Sequence, residues 1–228
     1  MTKALLCALL FSLGTLAQSL AQPLPPTLSQ APAPQESSSA LARAYNAWTN
    51  GEYSQAIRLY ENACYDGDMG ACHAIGTLYF QGSGVAQNYS MSASYYHKAC
   101  EGGFAQSCSS LGVLHHYGLG VRQDFDIALE LYQRSCSQGY ARGCNNLGAM
   151  FEDGLGIKAD YKQAALYYSD ACLARDERAC FNLADMIHDG RGFKKDKQKA
   201  MEYYGLACDL GFQEGCDEYK AIKLKEKK

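Results

Sequence analysis

The sequence predicts an all-α protein, an αα-superhelix (solenoid) built from repeated helix-turn-helix units. The first observation is a fixed period of 36 residues, which two columns of five cysteines keep without drift. The second is that glycines and tyrosines recur with the same step. The third is that all five prolines lie before residue 40, so the rest of the chain lacks the residue that helix interiors reject. A fixed period of this length is typical of units that bury their apolar faces only against their neighbours.

The N-terminal 39 residues are predicted to lie outside the repeats. Residues 1–21 read as a secretory signal peptide, with one cation at Lys3, an apolar run, and small residues at Ser19 and Ala21 for cleavage. This apolar run is too short for a membrane span. Residues 22–39 hold the prolines among Gln, Ser and Ala, a composition typical of an extended linker. The sequence therefore predicts a secreted or periplasmic protein with no membrane span.

The repeat domain is predicted to cover residues 40–216, followed by a lysine-rich cap at 217–228. Its first unit, with helices at 41–50 and 54–64, lacks the paired glycines and is interpreted as an N-terminal cap. Four full units follow. In each, a small residue on the first helix marks a column where two helices could approach closely, and a tyrosine on the second helix belongs to the packing stripe. The small residues are Gly76, Gly112, Gly148 and Ala184, and the tyrosines are Tyr96, Tyr132, Tyr168 and Tyr204.

Turn signals separate the two helices of each full unit. Paired glycines stop the first helix, at Gly82 and Gly84 and then at every equivalent position. An Asn or Asp follows, placed to cap the second helix through its side-chain oxygen. These residues are Asn88, Asp124, Asp160 and Asp196.

The two cysteine columns predict disulfides across the unit boundaries. Each cysteine of the first column precedes one of the second by eight residues. On one helix the two would be about 12 Å apart, beyond the roughly 7 Å limit for a bridge, so each pair must straddle a bend. A glycine lies in four of the five linkers, and Arg175 is the exception. Zinc sites favour closer cysteines and no C-x-x-C occurs, so neither a metal nor a cofactor is expected. The predicted pairs are Cys64–Cys72, Cys100–Cys108, Cys136–Cys144, Cys172–Cys180 and Cys208–Cys216.

Units such as NNLGAMFEDGLGIKADYKQAALYYSDAC resemble Sel-one-like repeats (SLR), which are relatives of the tetratricopeptide repeat. The C-x-x-x-x-x-x-x-C corner is similar to that of the secreted Helicobacter cysteine-rich protein family. The resemblance covers about residues 40 to 216 and implies a disulfide-stapled superhelix exported from a bacterial cell. Members of that cysteine-rich family are credited with penicillin binding and slow β-lactam hydrolysis, so the resemblance also implies a β-lactamase.

The residues do not carry a familiar hydrolase motif. No serine has a lysine at the third place after it, and S-D-N, K-T-G and G-x-S-x-G are all absent. If the chain hydrolyses β-lactams, His116 and Glu152 are the candidate catalytic bases. Nucleic-acid binding is disfavoured by the net charge of −3 and the pI near 5.9.

By analogy with tetratricopeptide geometry, three positions on each first helix should line a concave face, here called the predicted groove. These positions change from unit to unit while the packing columns stay nearly constant. Their aromatic, imidazole, amide and carboxylate groups suit a protein, a peptide, or an envelope-derived ligand such as a peptidoglycan-like or β-lactam molecule. The sequence predicts a secreted, monomeric binding scaffold, with a weak β-lactamase as the alternative, and a structural role in the envelope fits it too. The predicted groove comprises His73, Thr77, Phe80, Ser109, Val113, His116, Asn145, Ala149, Glu152, Phe181, Asp185 and His188.

Overall fold

The structure, a computed structural model, describes residues 39–225. The predicted signal peptide and the predicted linker up to residue 38 lie outside the described residues. Within the described range there are eleven α-helices and no strand, which confirms the predicted all-α class. The helices are α1 (Ser39–Thr49), α2 (Tyr53–Tyr65), α3 (Met69–Gln81), α4 (Tyr89–Glu101), α5 (Ala105–Tyr117), α6 (Phe125–Ser137), α7 (Ala141–Asp153), α8 (Tyr161–Leu173), α9 (Glu177–Asp189), α10 (Lys197–Asp209) and α11 (Gln213–Lys225).

Consecutive helices pair into units, and each unit packs on the next. Units 1 to 5 are formed by α1 with α2, α3 with α4, α5 with α6, α7 with α8, and α9 with α10. The first helices of neighbouring units also touch, as α5 touches α7 and α7 touches α9. The last helix, α11, packs on α10 and runs across the predicted boundary at residue 216. This repeated contact between neighbours is the αα-superhelix that the period predicted.

The predicted turn residues end and begin the helices. The first glycine of each pair takes a left-handed conformation directly after a first helix, with φ of 73° at Gly82 and 68° at Gly118. The predicted capping residues then accept hydrogen bonds from backbone N–H groups in the first turn of each second helix; Asn88, for example, accepts from Met91 N at 3.0 Å. The same bond forms at Asp124, Asp160 and Asp196.

The small-residue column and the tyrosine column pack against each other inside each unit. A Cβ added at Gly112 would lie 2.7 Å from the ring of Tyr132, and one added at Gly148 would lie 2.8 Å from the ring of Tyr168. Both rings are only 2% exposed. The structure therefore confirms the predicted close approach. The group that packs against each of these glycines is the tyrosine ring of the same unit.

Five disulfides connect the units as predicted. Each joins the second helix of one unit to the next helix along the chain, with Cα atoms 4.5 to 4.7 Å apart. The bends between the bonded cysteines use left-handed residues, with φ of 84° at Gly139 and 67° at Arg175. Arg175 is the one non-glycine residue with positive φ in the described part of the chain.

Candidate functional site

The twelve predicted groove residues lie on α3, α5, α7 and α9, and tyrosine hydroxyls from the second helices reach three of them. The rings belong to the core, but their hydroxyls extend to the polar side chains at its edge. In units 2 and 5 the partner is at the same position of the first helix, which Val113 and Ala149 occupy in units 3 and 4, and in unit 4 the tyrosine hydroxyl reaches Glu152 one turn later instead. The three pairs are Tyr96 with Thr77 at 3.0 Å, Tyr168 with Glu152 at 2.8 Å, and Tyr204 with Asp185.

Unit 2 contributes a half-buried histidine to this face. His73 Nδ1 lies 2.8 Å from Ser107 Oγ, and its ring packs against Tyr96 and Phe104 with centroids 5.3 and 5.2 Å away. Burial lowers the pKa of His73 to about 4, so the imidazole is neutral at physiological pH. Thr77 also donates to the carbonyl oxygen of His73 at 3.0 Å. These contacts make His73 and Thr77 part of a fixed hydrogen-bonded floor.

Two predicted groove residues are buried between first helices of neighbouring units. Ser109 is 3% exposed, and its hydroxyl accepts from Asn146 Nδ2 at 3.3 Å. Asn145 is 8% exposed, and its oxygen accepts from Asn182 Nδ2 at 2.9 Å. Both side chains therefore connect α5 to α7 and α7 to α9, and they offer little surface to a ligand.

His116 occupies an aromatic setting at the end of α5. Its ring lies 4.5 Å from that of Tyr117, 5.5 Å from Phe125 and 6.4 Å from Tyr132. Burial lowers the pKa of His116, and the charge of Asp153 opposes that shift. Its Nδ1 atom is buried without a hydrogen-bond partner among the described residues. Tyr117 beside it is 64% exposed, so this ring pair presents an accessible aromatic surface.

Glu152, the equivalent residue in unit 4, is held by two partners. Arg191, from the glycine turn of unit 5, forms an ion pair with it, and Tyr168 donates a hydrogen bond to its other oxygen. The Glu152 side chain is only 15% exposed. Burial, followed by the charge of Glu152, raises the pKa of Tyr168, so the phenol remains the hydrogen-bond donor. The carboxylate that acts electrostatically on His116 is Asp153 rather than Glu152.

The unit 5 positions combine an aromatic contact with polar contacts. Phe181 packs against Tyr204 and Phe212 with ring centroids 5.4 and 5.2 Å away. His188 Nδ1 lies 3.2 Å from a carboxylate oxygen of Asp189. The remaining predicted groove residues, Phe80, Val113 and Ala149, are half-buried and join the apolar clusters.

Three groups at this face were absent from the sequence prediction. They are the hydroxyls of the tyrosine column, the guanidinium of Arg191, and the amides of Asn146 and Asn182. One signal was available for Arg191, because the residue between its paired glycines is Ser83, Leu119 or Leu155 in the other units. A unique cation at that position accompanies the unique acid at Glu152, as expected for two residues in contact.

The two candidate bases lie in separate environments. His116 and Glu152 occur in different contacts, and nothing in the geometry pairs them on one reacting atom. Within residues 39–225 no group of three or more His, Cys, Asp or Glu side chains could hold a metal ion, and no helix is long and apolar enough to cross a membrane. What the face offers is an aromatic and imidazole surface in units 2 and 3, followed by paired charges in units 4 and 5.

Two solved structures share this fold over most of the chain. A Sel1 repeat protein from Oxalobacter formigenes superposes with a TM-score of 0.69 at 27% identity, over 77% of this chain and 70% of that one. A protective antigen of uropathogenic Escherichia coli displaying an SLR fold superposes with a TM-score of 0.68 at 26% identity, over 77% of this chain. This chain spans only 38% of the length of that antigen.

Cysteine-rich protein B of Helicobacter pylori is also similar, at 29% identity over 57% of this chain and 92% of that one, with a TM-score of 0.46. No functionally curated protein is similar enough in sequence to count as a match. The Sel1 repeat pattern matches residues 50–68, 70–104, 105–140, 141–176 and 177–212, which together make up well over half of the chain. Sel1 repeats generally mediate protein interactions. The chain therefore belongs to the Sel1 repeat family, as a disulfide-rich scaffold.

Proposed function

We propose that this Sel1 repeat scaffold is exported and binds an extended peptide segment along the predicted groove. The observation that carries the proposal is the exposed ring of Tyr117 beside the half-buried ring of His116, one unit away from the ion pair of Glu152 and Arg191. A peptide has both features to match, namely flat apolar side chains and a backbone with charged ends or side groups. A neutral imidazole at His116 can donate to or accept from a peptide group.

The disulfides support the exported location. Five bridges in a small repeat domain persist only in an oxidising compartment, such as the periplasm or the extracellular medium. The predicted signal peptide agrees with this, although it lies outside the described residues. Envelope-derived peptides, including peptidoglycan stem peptides, share that location and are our preferred ligand class.

Peptide selection from a random phage-displayed library on the disulfide-intact protein tests the proposal. Selected peptides, measured by fluorescence anisotropy, should bind at least tenfold more weakly to Tyr117→Ala and His116→Ala. Leu224→Ala removes an equally exposed side chain from α11 and should leave affinity unchanged, as a matched control. Equal affinity for all four proteins would contradict binding in the predicted groove.

Weak β-lactam hydrolysis is the alternative that the resemblance implies, and peptide binding is the function that we favour. Glu152 is engaged by Arg191 and Tyr168, which leaves His116 as the base such a reaction would use. We expect neither nitrocefin turnover above the buffer rate nor a penicillin adduct by mass spectrometry. Sustained turnover that is lost in His116→Ala would establish the hydrolase instead.

A further inference from the structure

A second surface lies on the second helices, away from the predicted groove. An open cavity of about 400 Å³ lies between α8 and α10, and a smaller one of about 200 Å³ adjoins it. The two share Ser169 and Tyr203 in their walls. We call this pair of cavities the α8–α10 pocket. Its apolar wall includes Leu166 and Phe193, and Leu206 lies in the adjoining part.

Departures from the repeat pattern create this pocket. The position of Leu166 holds Arg58, Ser94, Glu130 or Glu202 in the other units, and the position of Leu206 holds Asn62, Lys98, Arg134 or Asp170. Leu166 and Leu206 are nevertheless 58% and 41% exposed. Ser169 is also smaller than the Glu61, His97 and Gln133 that occupy its position in units 1 to 3, and it lines the open space between the helices.

Leu206 also replaces a stabilising contact. In units 2 and 3 the equivalent cations, Lys98 and Arg134, donate to carbonyl oxygens of the preceding unit, each at 2.8 Å. A leucine at this position cannot make that bond and exposes apolar surface instead. Exposed apolar patches of this kind mark interaction sites on folded proteins.

The rim of the pocket is cationic. Lys162, Lys199 and Arg175 contribute to its walls, and no carboxylate does. Nearby in the sequence, Lys194 and Lys195 precede α10 and Lys197 begins it, while Asp196 between them is used as the helix cap. The local charge is therefore opposite in sign to the net charge of the whole chain.

Arg175 adds a second, independent observation. Its φ of 67° lies in the left-handed region, where the other four linkers have glycine. A strained non-glycine backbone that also places a side chain at a pocket is typical of a functional position. Arg175 lines the smaller cavity together with Leu173 and Leu206.

We propose that the α8–α10 pocket is a docking site for an acidic amphipathic helix of a partner protein. A helix lying between α8 and α10 would insert apolar side chains into the two adjoining cavities, in the manner of a helix-in-groove complex. Its carboxylates would pair with the lysines and Arg175 at the rim. The concave form of the site suits a helix better than a flat membrane surface.

Synthetic peptides test this directly on the full, disulfide-intact protein. The probe is a 15-residue peptide with Leu at positions i, i+3, i+4 and i+7, Glu at four of the remaining positions and Ala at the others, held helical by a side-chain lactam staple and checked by circular dichroism; the controls are a scrambled peptide and a stapled one with Lys in place of each free Glu. Fluorescence anisotropy should show binding of the acidic helix only. Raising the salt from 50 to 500 mM should weaken binding several-fold, because the rim contacts are charge pairs.

Variants that restore the repeat pattern complete the test. Leu166→Glu and Leu206→Arg should each reduce affinity at least tenfold while circular dichroism is unchanged, and Leu224→Glu should have no effect. Arg175→Gly should weaken binding yet raise the melting temperature, a combination that misfolding cannot produce. The proposal is overturned by equal binding to Leu166→Glu, by equal binding of the Lys peptide, or by no binding of the acidic helix.

Two further results would assign the pocket to another occupant and so overturn the proposal. The first is self-association of the free protein, seen by analytical ultracentrifugation and abolished by Leu166→Glu. The second is binding to vesicles of phosphatidylcholine and phosphatidylglycerol that Leu166→Glu abolishes, without preference for the acidic helix.

Discussion

Two junctions between units share the same backbone design but differ in the side chains that meet there. The junction between units 2 and 3 is apolar, whereas the junction between units 4 and 5 is charged. At the first, Phe80 packs on Tyr89 with ring centroids 5.4 Å apart, and Leu119 from the next glycine turn joins the same apolar cluster. At the second, the equivalent residues are Glu152 and Arg191, which form an ion pair.

The difference shows which parts of the repeat carry the fold. Both junctions keep the glycine turn, the disulfide and the buried tyrosine, so these elements maintain the position of one unit on the next. The side chain at the end of each first helix is then free to differ. The frame carries stability, and we propose that the intervening positions carry recognition.

The largest effect should come from the frame itself. Gly148→Val would place side-chain atoms into the ring of Tyr168 and should lower the free energy of unfolding by about 3 kcal/mol. Ala184→Gly at the equivalent position in unit 5 clashes with nothing and should cost only about 1 kcal/mol. Urea unfolding followed by circular dichroism measures both, and an unchanged midpoint for Gly148→Val would refute the packing role of the column.

Acid should weaken unit 2 through His73. Its folded-state pKa of about 4 lies below the unfolded value of about 6.5, so the unfolded state binds more protons between these values. This contribution is fully present above pH 6.5 and is lost as the pH falls toward 4. Wild type should therefore lose about 2 kcal/mol more than His73→Gln between pH 7.5 and 4.5. Equal losses of the free energy of unfolding in wild type and His73→Gln, measured by urea titration, would contradict a neutral imidazole at His73.

Replacing the ion pair with the residues found at another junction tests how much the pair contributes to stability. Arg191→Leu leaves Glu152 without its cation and should cost about 1 to 2 kcal/mol, since Glu152 is largely buried. The double variant Glu152→His with Arg191→Leu recreates the residues of His116 and Leu155 from the preceding junction. A double-mutant cycle should give a coupling of about 1 kcal/mol, and strict additivity would show that the pair is not coupled.

The smallest effect is a gain at the fourth linker. Arg175→Gly relieves the left-handed backbone and should raise stability by about 1 kcal/mol. The reciprocal Gly139→Arg, at a position where an added Cβ meets nothing within 4 Å, should lower stability by a similar amount. Differential scanning calorimetry measures the melting temperature of each variant. If both variants melt at the wild-type temperature, the backbone at Arg175 is not strained.

Most of the frame was predictable because it repeats. The period determined the helices, the caps and the disulfide pairs, and the structure confirms each of them. The candidate site was less predictable, because helix rotation and the spacing between units decide which side chains meet. Ser109 and Asn145 are on the predicted helices, yet neighbouring helices cover them.

The tyrosine hydroxyls illustrate the same limit. The periodicity of the sequence correctly predicted a packing stripe, but it does not reveal which neighbouring group the hydroxyl of a buried tyrosine contacts. The α8–α10 pocket differs, since Leu166 and Leu206 break the polar pattern of their columns visibly in the sequence. Comparing the repeats along their second helices, as well as their first, would have identified Leu166 and Leu206 as exceptions.

Peptide recognition by the variable positions on the first helices can be observed directly. The most direct test is two-dimensional NMR of the disulfide-intact protein, with ¹⁵N-labelled histidine and backbone amides, titrated with a peptide selected from the library. The account predicts shifts of the His116 imidazole nitrogens and of the Tyr117 amide, with smaller shifts toward Asp153. Shifts confined to α8 and α10, or the absence of any shift on α5, would contradict it.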